Sequence, residues 1–442
     1  VGTRVSSLPE VTLNHLQRKI LYTLGFIALY RIGVYLPVPG VNSEALSEFF
    51  RSQGANLFGM FNMFSGGALQ RFSIFALGVM PYISASIIAQ LLTAVVPYLE
   101  ALSKEGDAGR RKINQYTRYG TVILAMIQGL MIGRTLMGSQ FGGGSLVYDG
   151  GGPSWLLLTA ISLTAGTAFV MWLGEQITDK GVGNGMSLII FAGIVDGMPS
   201  IISSTYSGNE GQGMDVGTLF LLGAIMVAIT AGVVFMEQGA RQVPIQYAKR
   251  QVGRKVFGGQ TSHLPIRINT AGVIPPIFAS SLLQLPVTMS AMAQGTRWGD
   301  ALNLLFYPGG WFYNTSYLVM IIFFAYFYTS IQFKPDDIAE NLKKHGGFIP
   351  GIRPGARTSE YLFKVINRLT LVGSLYLAAI CLVPSIITEK FNVQFYFGGT
   401  SLLIVVGTAL ETFRQIDAHR QSLRYEAFLK GGSIRQRWSG KK

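Results

Sequence analysis

Apolar runs recur along the whole chain, separated by polar, glycine-rich or basic stretches. A run of roughly 18 or more apolar residues is the signature of a membrane-spanning helix. Ten spans are expected, near 20–38, 72–97, 119–137, 154–174 and 185–203, then 217–236, 271–292, 314–333, 369–388 and 396–413. Continuous runs, rather than short segments of alternating polarity, predict a helical bundle and not a membrane β-barrel. Residues 1–19 are mostly polar and lack the apolar core and small-residue cleavage site of a signal peptide, so the first run is expected to stay as a helix. One stretch breaks the alternation. NLFGMFNMFSGGALQR at 56–71 is too apolar for a loop and too short to span, which predicts a re-entrant segment tucked into the protein.

Composition agrees with burial in lipid. Of 442 residues, 49% are hydrophobic and 13% charged, against about 25% charged in soluble domains. The net charge of +14 is unevenly spread. With ten spans, the connecting segments alternate between two sides, and all but six of the 36 lysines and arginines fall on one of them. The exceptions are Arg31, Arg51, Arg71, Arg134, Arg297 and Lys390. Positive residues collect in the cytoplasm, so both termini and the basic loops 98–118, 237–270 and 334–368 are expected there. Cys381 is alone within an apolar run and forms no internal disulfide. His15, His263, His345 and His419 are not paired at metal-ligand spacing, so neither a metal nor any cofactor is expected.

The two halves of the chain, 1–203 and 204–442, echo each other. GVMPYISASIIAQL begins at Gly78 and GVIPPIFASSLLQL at Gly272; aligned without gaps, eight of their fourteen positions are identical. A shared Gly-x-x-Pro with a later Gln is more telling than shared Leu or Val, because Gln is costly in lipid. GMSLII from Gly185 matches GTSLLI from Gly399 at four of six positions. Each match pairs a span with the one five places later, which has the opposite direction. That is an inverted repeat, whose working path is expected between the halves at the membrane midplane. It makes Ile83 equivalent to Ile277 and Ile190 to Ile404, with Ile87 and Met186 one helical turn away on the same faces. Any one such side chain is first expected in packing or lipid contact; together they also suit a collar that closes a narrow pore by dewetting.

Several segments together resemble the bacterial type of the SecY family, the channel subunits of the Sec protein translocase. They are GVMPYISASIIAQLL (78–92), WLGEQITDKGVGNGMSLIIFAGIV (172–195), PIQYAKRQVGRK (244–255), AGVIPPIFASS (271–281), IPGIRPG (349–355) and FGGTSLLIVV (397–406). The resemblance implies an all-α membrane protein with ten helices in two inverted five-helix halves around an hourglass pore. Its constriction ring would be Ile83, Ile87, Met186, Ile190, Ile277 and Ile404, with Met186 a departure from the family's Ile or Val. Residues 57–70 would be a plug carrying Leu57, Phe58, Met60, Phe61, Phe64, Gly66 and Gly67. A hinge and a simple helix cap are both open at Gly66-Gly67. The resemblance further implies a lateral gate between spans two and three and spans seven and eight. Thr93, Gln128 and Gln284 would be its polar contacts, although back-bonding within a helix or ordinary packing is an equal alternative. Lys249, Arg250, Arg254 and Lys255 in one loop, and Arg353 and Arg357 in another, would dock the SecA ATPase or the RNA of a ribosome. SecE and SecG would be its companions, preprotein signal sequences its clients, and the cytoplasmic membrane its place.

Two other functions are weighed against this one. An ion-coupled transporter shares inverted repeats but needs ionisable groups at membrane depth. Only Arg31 and Asp196 lie deep, and neither has an evident partner within its own span. An intramembrane enzyme is excluded by the lack of GxSxG, HExxH or paired intramembrane aspartates. Gly-Asn-Gly at 183–185 reads as the turn that starts a helix.

Overall fold

A computed structural model describes residues 10–42, 45–46, 62, 65–138, 140–141, 144–148, 152–206, 216–247, 250–252, 255–257, 261–292, 297–306, 310–391 and 399–439. It is mainly helical. Four stretches are long and apolar enough to cross a membrane among the described residues: Asp107–Met137, Pro153–Lys180, Trp311–Lys344 and Ala356–Val383. Met80–Val95 and Pro97–Lys104 make a fifth if taken as one span bent by 98°. Gly185–Pro199, Gly223–Gln238 and Ile274–Leu283 are shorter apolar helices. In α1 (Glu10–Val34), Arg18, Lys19 and Arg31 interrupt the apolar character.

The chain divides into two compact units, Val1–Ala85 with Asn114–Ile202 and Ile404–Lys442, and Ser86–Ile113 with Ser203–Leu403. In the first, α1 is followed by an extended crossing in which Pro37 bridges Ser73 and Val41 bridges Val147. The span expected at 72–97 is helical only as α2 (Met80–Val95). Residues 65–79 run instead as successive turns, with a positive φ at Phe72 and the Ser73 hydroxyl accepting from the Phe75 N–H. Pro97 then opens α3 (Pro97–Lys104), which with the end of α2 is assigned to the second unit, since proline lacks the N–H that would continue the previous helix. Two long helices follow, α4 (Asp107–Gly138) and α5 (Pro153–Lys180). They pack closely through small residues: a Cβ on Gly129 would lie 3.2 Å from the Ala160 Cα, and one on Gly133 2.9 Å from a Leu156 methyl. This is the small-xxx-small contact of membrane helices, where packing rather than water exclusion holds helices together. Val38, Leu69, Phe72, Leu77, Leu136, Leu146 and Leu163 form a buried core nearby. The remaining helices of the unit are α6 (Gly185–Tyr206) and most of a long C-terminal helix, Gly399–Ser439.

In the second unit α7 (Val216–Gln238) leads into strand Ala240–Tyr247, which pairs antiparallel with Thr261–Arg267 on one side and Gly347–Phe348 on the other. The segments expected as basic loops thus carry a folded core of their own: Val243, Ile266, Ile349, Leu362, Val365 and Ile366 are buried together. Next come α8 (Ile274–Met292), α9 (Arg297–Leu305), α10 (Trp311–Gln332), α11 (Pro335–Lys344) and α12 (Ala356–Phe391), and then α13, the Gly399–Ser439 helix. The α8–α10 packing includes an edge-to-face contact of Phe278 with Phe324 at 5.7 Å. The ninth expected span, 369–388, lies within a helix that starts thirteen residues earlier, at Ala356.

Candidate functional site

The repeated sequences adopt a repeated local structure. Gly78 and Gly272 both have positive φ, +55° and +65°, and each lies two residues before its helix. Pro81 and Pro275 sit in the first turns, where a missing N–H costs nothing. Gly185 and Gly399 each open a helix against the backbone of the helix before it. A Cβ on Gly185 would fall 1.9 Å from the Gly174 carbonyl oxygen, and one on Gly399 2.0 Å from that of Ile380. Both contacts exclude any side chain. Gly185→Ala and Gly399→Ala are each expected to destabilise the protein by about 1–3 kcal/mol, the usual penalty of overpacking. Earlier thermal unfolding in detergent for both variants is the measurement; a silent pair contradicts the tight approach.

These helix starts set the candidate ring side chains in equivalent places. Ile83 and Ile277 occupy the fourth residue of α2 and α8, and Ile190 and Ile404 the sixth of α6 and α13. Ile83, Ile87, Ile190 and Ile404 are buried, while Met186 and Ile277 are half-buried. Of the candidate gate residues, Thr93 donates to the Gln90 carbonyl of its own helix at 2.7 Å, so the intrahelical alternative is met there. Gln128 is half-buried in α4. Gln284 belongs to α8, with its side chain outside the described ones.

Leu57, Phe58, Met60, Phe61 and Phe64 lie outside the described residues. Gly66 and Gly67 do not, and both are left-handed, with φ of +64° and +80°. The Gly67 N–H donates to the Asn62 carbonyl at 2.8 Å, a six-to-one bond of the kind found at helix ends. Arg31 and Asp196, which looked unpaired along the sequence, pair with each other between α1 and α6. Asn184 caps α6, its side-chain oxygen accepting from the Met186 N–H at 3.1 Å. The turn before it is held by the Thr23 hydroxyl, which accepts from the Val182 N–H, and by the Gln415 side-chain oxygen, which accepts from the Gly183 N–H.

The basic residues are displayed unequally. Arg250 and Lys255 lie on a short antiparallel pair, Arg250–Val252 with Lys255–Phe257, whereas Lys249 and Arg254 lie outside the described residues. Arg353 and Arg357 are exposed. Their loop is anchored by the buried Ile349 and by the Ile352 N–H on the Ile349 carbonyl. The Thr358 hydroxyl adds a bond to the Arg353 carbonyl at 3.0 Å, and the Ser359 hydroxyl one to Asp336 of α11. On the exposed face of α11 and its neighbour α12, Lys344 pairs with Glu340 at 2.9 Å and Lys364 with Glu360 at 2.8 Å, each one turn back.

Sequence reasoning missed one buried polar tie. Glu237, at the end of α7, is buried and accepts from the Asn269 amide at 2.5 Å; the same amide reaches the Gly272 carbonyl. It joins the end of α7 to the residues that start α8. An Asn three residues before a repeat glycine was the available signal. Among the described residues no cluster of three or more His, Cys, Asp or Glu is placed to hold a metal ion.

These features define a multi-pass helical membrane protein whose internal repeat sets buried isoleucines at equivalent helix positions. The chain belongs to the SecY family: the family model matches residues 73–413. Relatives include the protein translocase subunit SecY of Pseudomonas aeruginosa, 46% identical over 99% of this chain and 98% of its own length. The Haemophilus influenzae subunit is 48% identical, with 96% of each chain covered. The fold also matches a solved protein-conducting channel (TM-score 0.65, 17% identity, 96% of this chain and 95% of the other). A second solved structure it resembles is Sec61 in the canine ribosome-channel complex from the endoplasmic reticulum (TM-score 0.62, 17% identity, 96% and 95% covered).

Proposed function

We infer that this chain is the protein-conducting channel subunit of a Sec translocase. It passes unfolded preproteins across the membrane and releases transmembrane segments sideways into lipid. The observation that carries this is family membership over nearly the whole chain, joined to branched apolar residues at equivalent points of a repeat. It is a channel component rather than an enzyme, so SecA or a translating ribosome supplies the drive. SecE and SecG complete the complex. The ion-coupled transporter alternative lacks support, because Arg31 and Asp196 satisfy each other instead of standing open to a coupling ion.

Within this reading ten helices in two inverted halves, 1–203 and 204–442, line an hourglass pore. Ile83, Ile87, Met186, Ile190, Ile277 and Ile404 form its constriction, and residues 57–70 plug it at rest. A ring of apolar side chains excludes ions by dewetting and yields to a polypeptide without binding it. Met186 is flexible and softens the seal. Thr93, Gln128 and Gln284 lie along the lateral gate. Both termini and the loops bearing Lys249, Arg250, Arg254, Lys255, Arg353 and Arg357 face the cytoplasm across the inner membrane, following the distribution of positive charge.

The deciding experiment is ATP-driven uptake of a signal-bearing preprotein by proteoliposomes holding this chain with SecE, SecG and SecA. Protected preprotein supports the reading; none, with a correctly assembled complex, removes it. Ile83→Asn and Ile277→Asn are each expected to raise the resting ion leak about tenfold, the effect of roughly 1.4 kcal/mol taken off a barrier. They are also expected to admit preproteins with defective signal sequences. Conductance of planar bilayers reports the first effect and uptake assays the second.

A further inference from the structure

Arg31 stands near the end of α1 with its side chain only 18% exposed. Apolar groups surround it: Leu24, Ile27, Phe191 and Val195 line an adjoining cavity of about 500 Å³ that Arg31 and Asp196 also border. A guanidinium in such a place is unfavourable unless its charge and donors are used. Both are used here. One terminal nitrogen pairs with the Asp196 carboxylate on α6, and the other donates to the Gly66 carbonyl at 3.2 Å. The neighbouring Tyr30, fully buried, donates its hydroxyl to the Ser65 carbonyl at 3.0 Å.

The segment they hold is knit to itself. The Asn62 side-chain oxygen accepts from the Gln70 N–H at 2.8 Å, and the Ser65 hydroxyl accepts from the Leu69 N–H at 3.2 Å. Gly66 lies directly on α6: a Cβ there would stand 2.8 Å from the Gly193 Cα and 3.0 Å from the Arg31 guanidinium. The turn at residues 65–67 is therefore clamped from two sides, by α1 through Tyr30 and Arg31 and by α6 through Gly193. Among the described residues Asp196 pairs with Arg31. Its part is to orient Arg31 and neutralise it.

A partly buried ion pair is weak evidence for stability, because desolvation offsets the attraction. Its worth lies in geometry. We propose that Arg31 and Asp196 are positioning residues of the translocation channel, a clasp that fixes the turn at residues 65–67 and thereby sets the resting ion seal and the stringency towards signal sequences. This rests on the channel reading above. Arg31 acts through a hydrogen bond to the Gly66 carbonyl, and Asp196 acts through Arg31, so the two are expected to behave as one unit.

The test uses the full chain assembled with SecE and SecG in planar bilayers and proteoliposomes. Asp196→Asn and Arg31→Met are each expected to raise resting conductance about tenfold, the factor that corresponds to roughly 1.4 kcal/mol. The double variant is expected to leak no more than Arg31→Met alone. Tyr30→Phe keeps the packing and removes one neutral hydrogen bond, and its leak is expected to rise about threefold to tenfold. Each variant is expected to accept a preprotein with a defective signal sequence that the parent rejects. Thermal unfolding measured alongside separates this role from a merely structural one. If Asp196→Asn and Tyr30→Phe hold the seal at parental conductance, whether or not they unfold earlier, the clasp is overturned. Leaks that add in the double variant overturn the shared unit. If the parent complex itself fails to transport a competent preprotein, it is the channel reading that falls.

Discussion

Replacing Arg353 with glutamate is expected to lower SecA-driven preprotein uptake at least about tenfold, since reversing one member of a close charge pair removes more than the roughly 1.4 kcal/mol this requires. The residue is exposed, but the backbone that carries it is not loose. Ile349 is buried beside Leu362 and Val365, and the Arg353 carbonyl accepts from the Thr358 hydroxyl. The charge is thus presented on a fixed support, as docking to an acidic groove or an RNA phosphate would require. An exposed substitution of this kind shifts folding stability by about 0.5 kcal/mol or less. Uptake by proteoliposomes and the melting temperature are measured on the same preparation. Lost uptake with unchanged melting supports docking at this tip; unchanged uptake places docking elsewhere. Arg353→Lys retains charge but not the two-pronged geometry of a guanidinium, and an intermediate rate is expected.

Removing residues 57–64 is expected to raise the resting conductance of the reconstituted channel by about tenfold or more, if the apolar segment blocks the pore at rest. The structure refines where the deletion must stop. Leu69 is 3% exposed within the core of its unit, and Asn62 and Ser65 knit the turn that leads to it. Extending the deletion to residue 70 discards a core leucine, a loss of about 2–5 kcal/mol when truncation to alanine is the guide. Early unfolding is then expected in addition to leak. Single-channel recordings of both deletions, with melting curves, separate the seal from the scaffold. A shorter deletion that leaks no more than the parent argues against residues 57–64 as the plug.

How much was legible depended on whether the chemistry was local. The repeat at Gly78 and Gly272 was visible because one residue type meets one backbone demand: a left-handed φ just before a helix, with proline tolerated in the first turn. Thr93 was legible as an alternative for the same reason, since its hydroxyl reaches a carbonyl only three residues back. The small sheet was missed although its alternation was written out. Val243 and Ile245 point inward from Ala240–Tyr247, as Ile266 does from its partner strand. Charge drew attention away from that pattern in a basic loop. The span expected from residue 72 failed for a further reason: an apolar run reports burial, and the turns at 65–79 are as buried as a helix.

Read along the chain, the residues alone place it in a membrane, show that its halves repeat and point to the family it resembles. Each follows from hydropathy, charge placement or residue identity read along the chain. The pairing of Arg31 with Asp196, the seat of Gly66 on Gly193 and the tie of Glu237 to Asn269 emerge when the chain is folded. Such partners are distant in sequence, and nothing in a linear pattern states which donor meets which acceptor. The pairing depends on how helices pack, and in a membrane that is settled by close contact between small residues and by the few polar groups that must find each other.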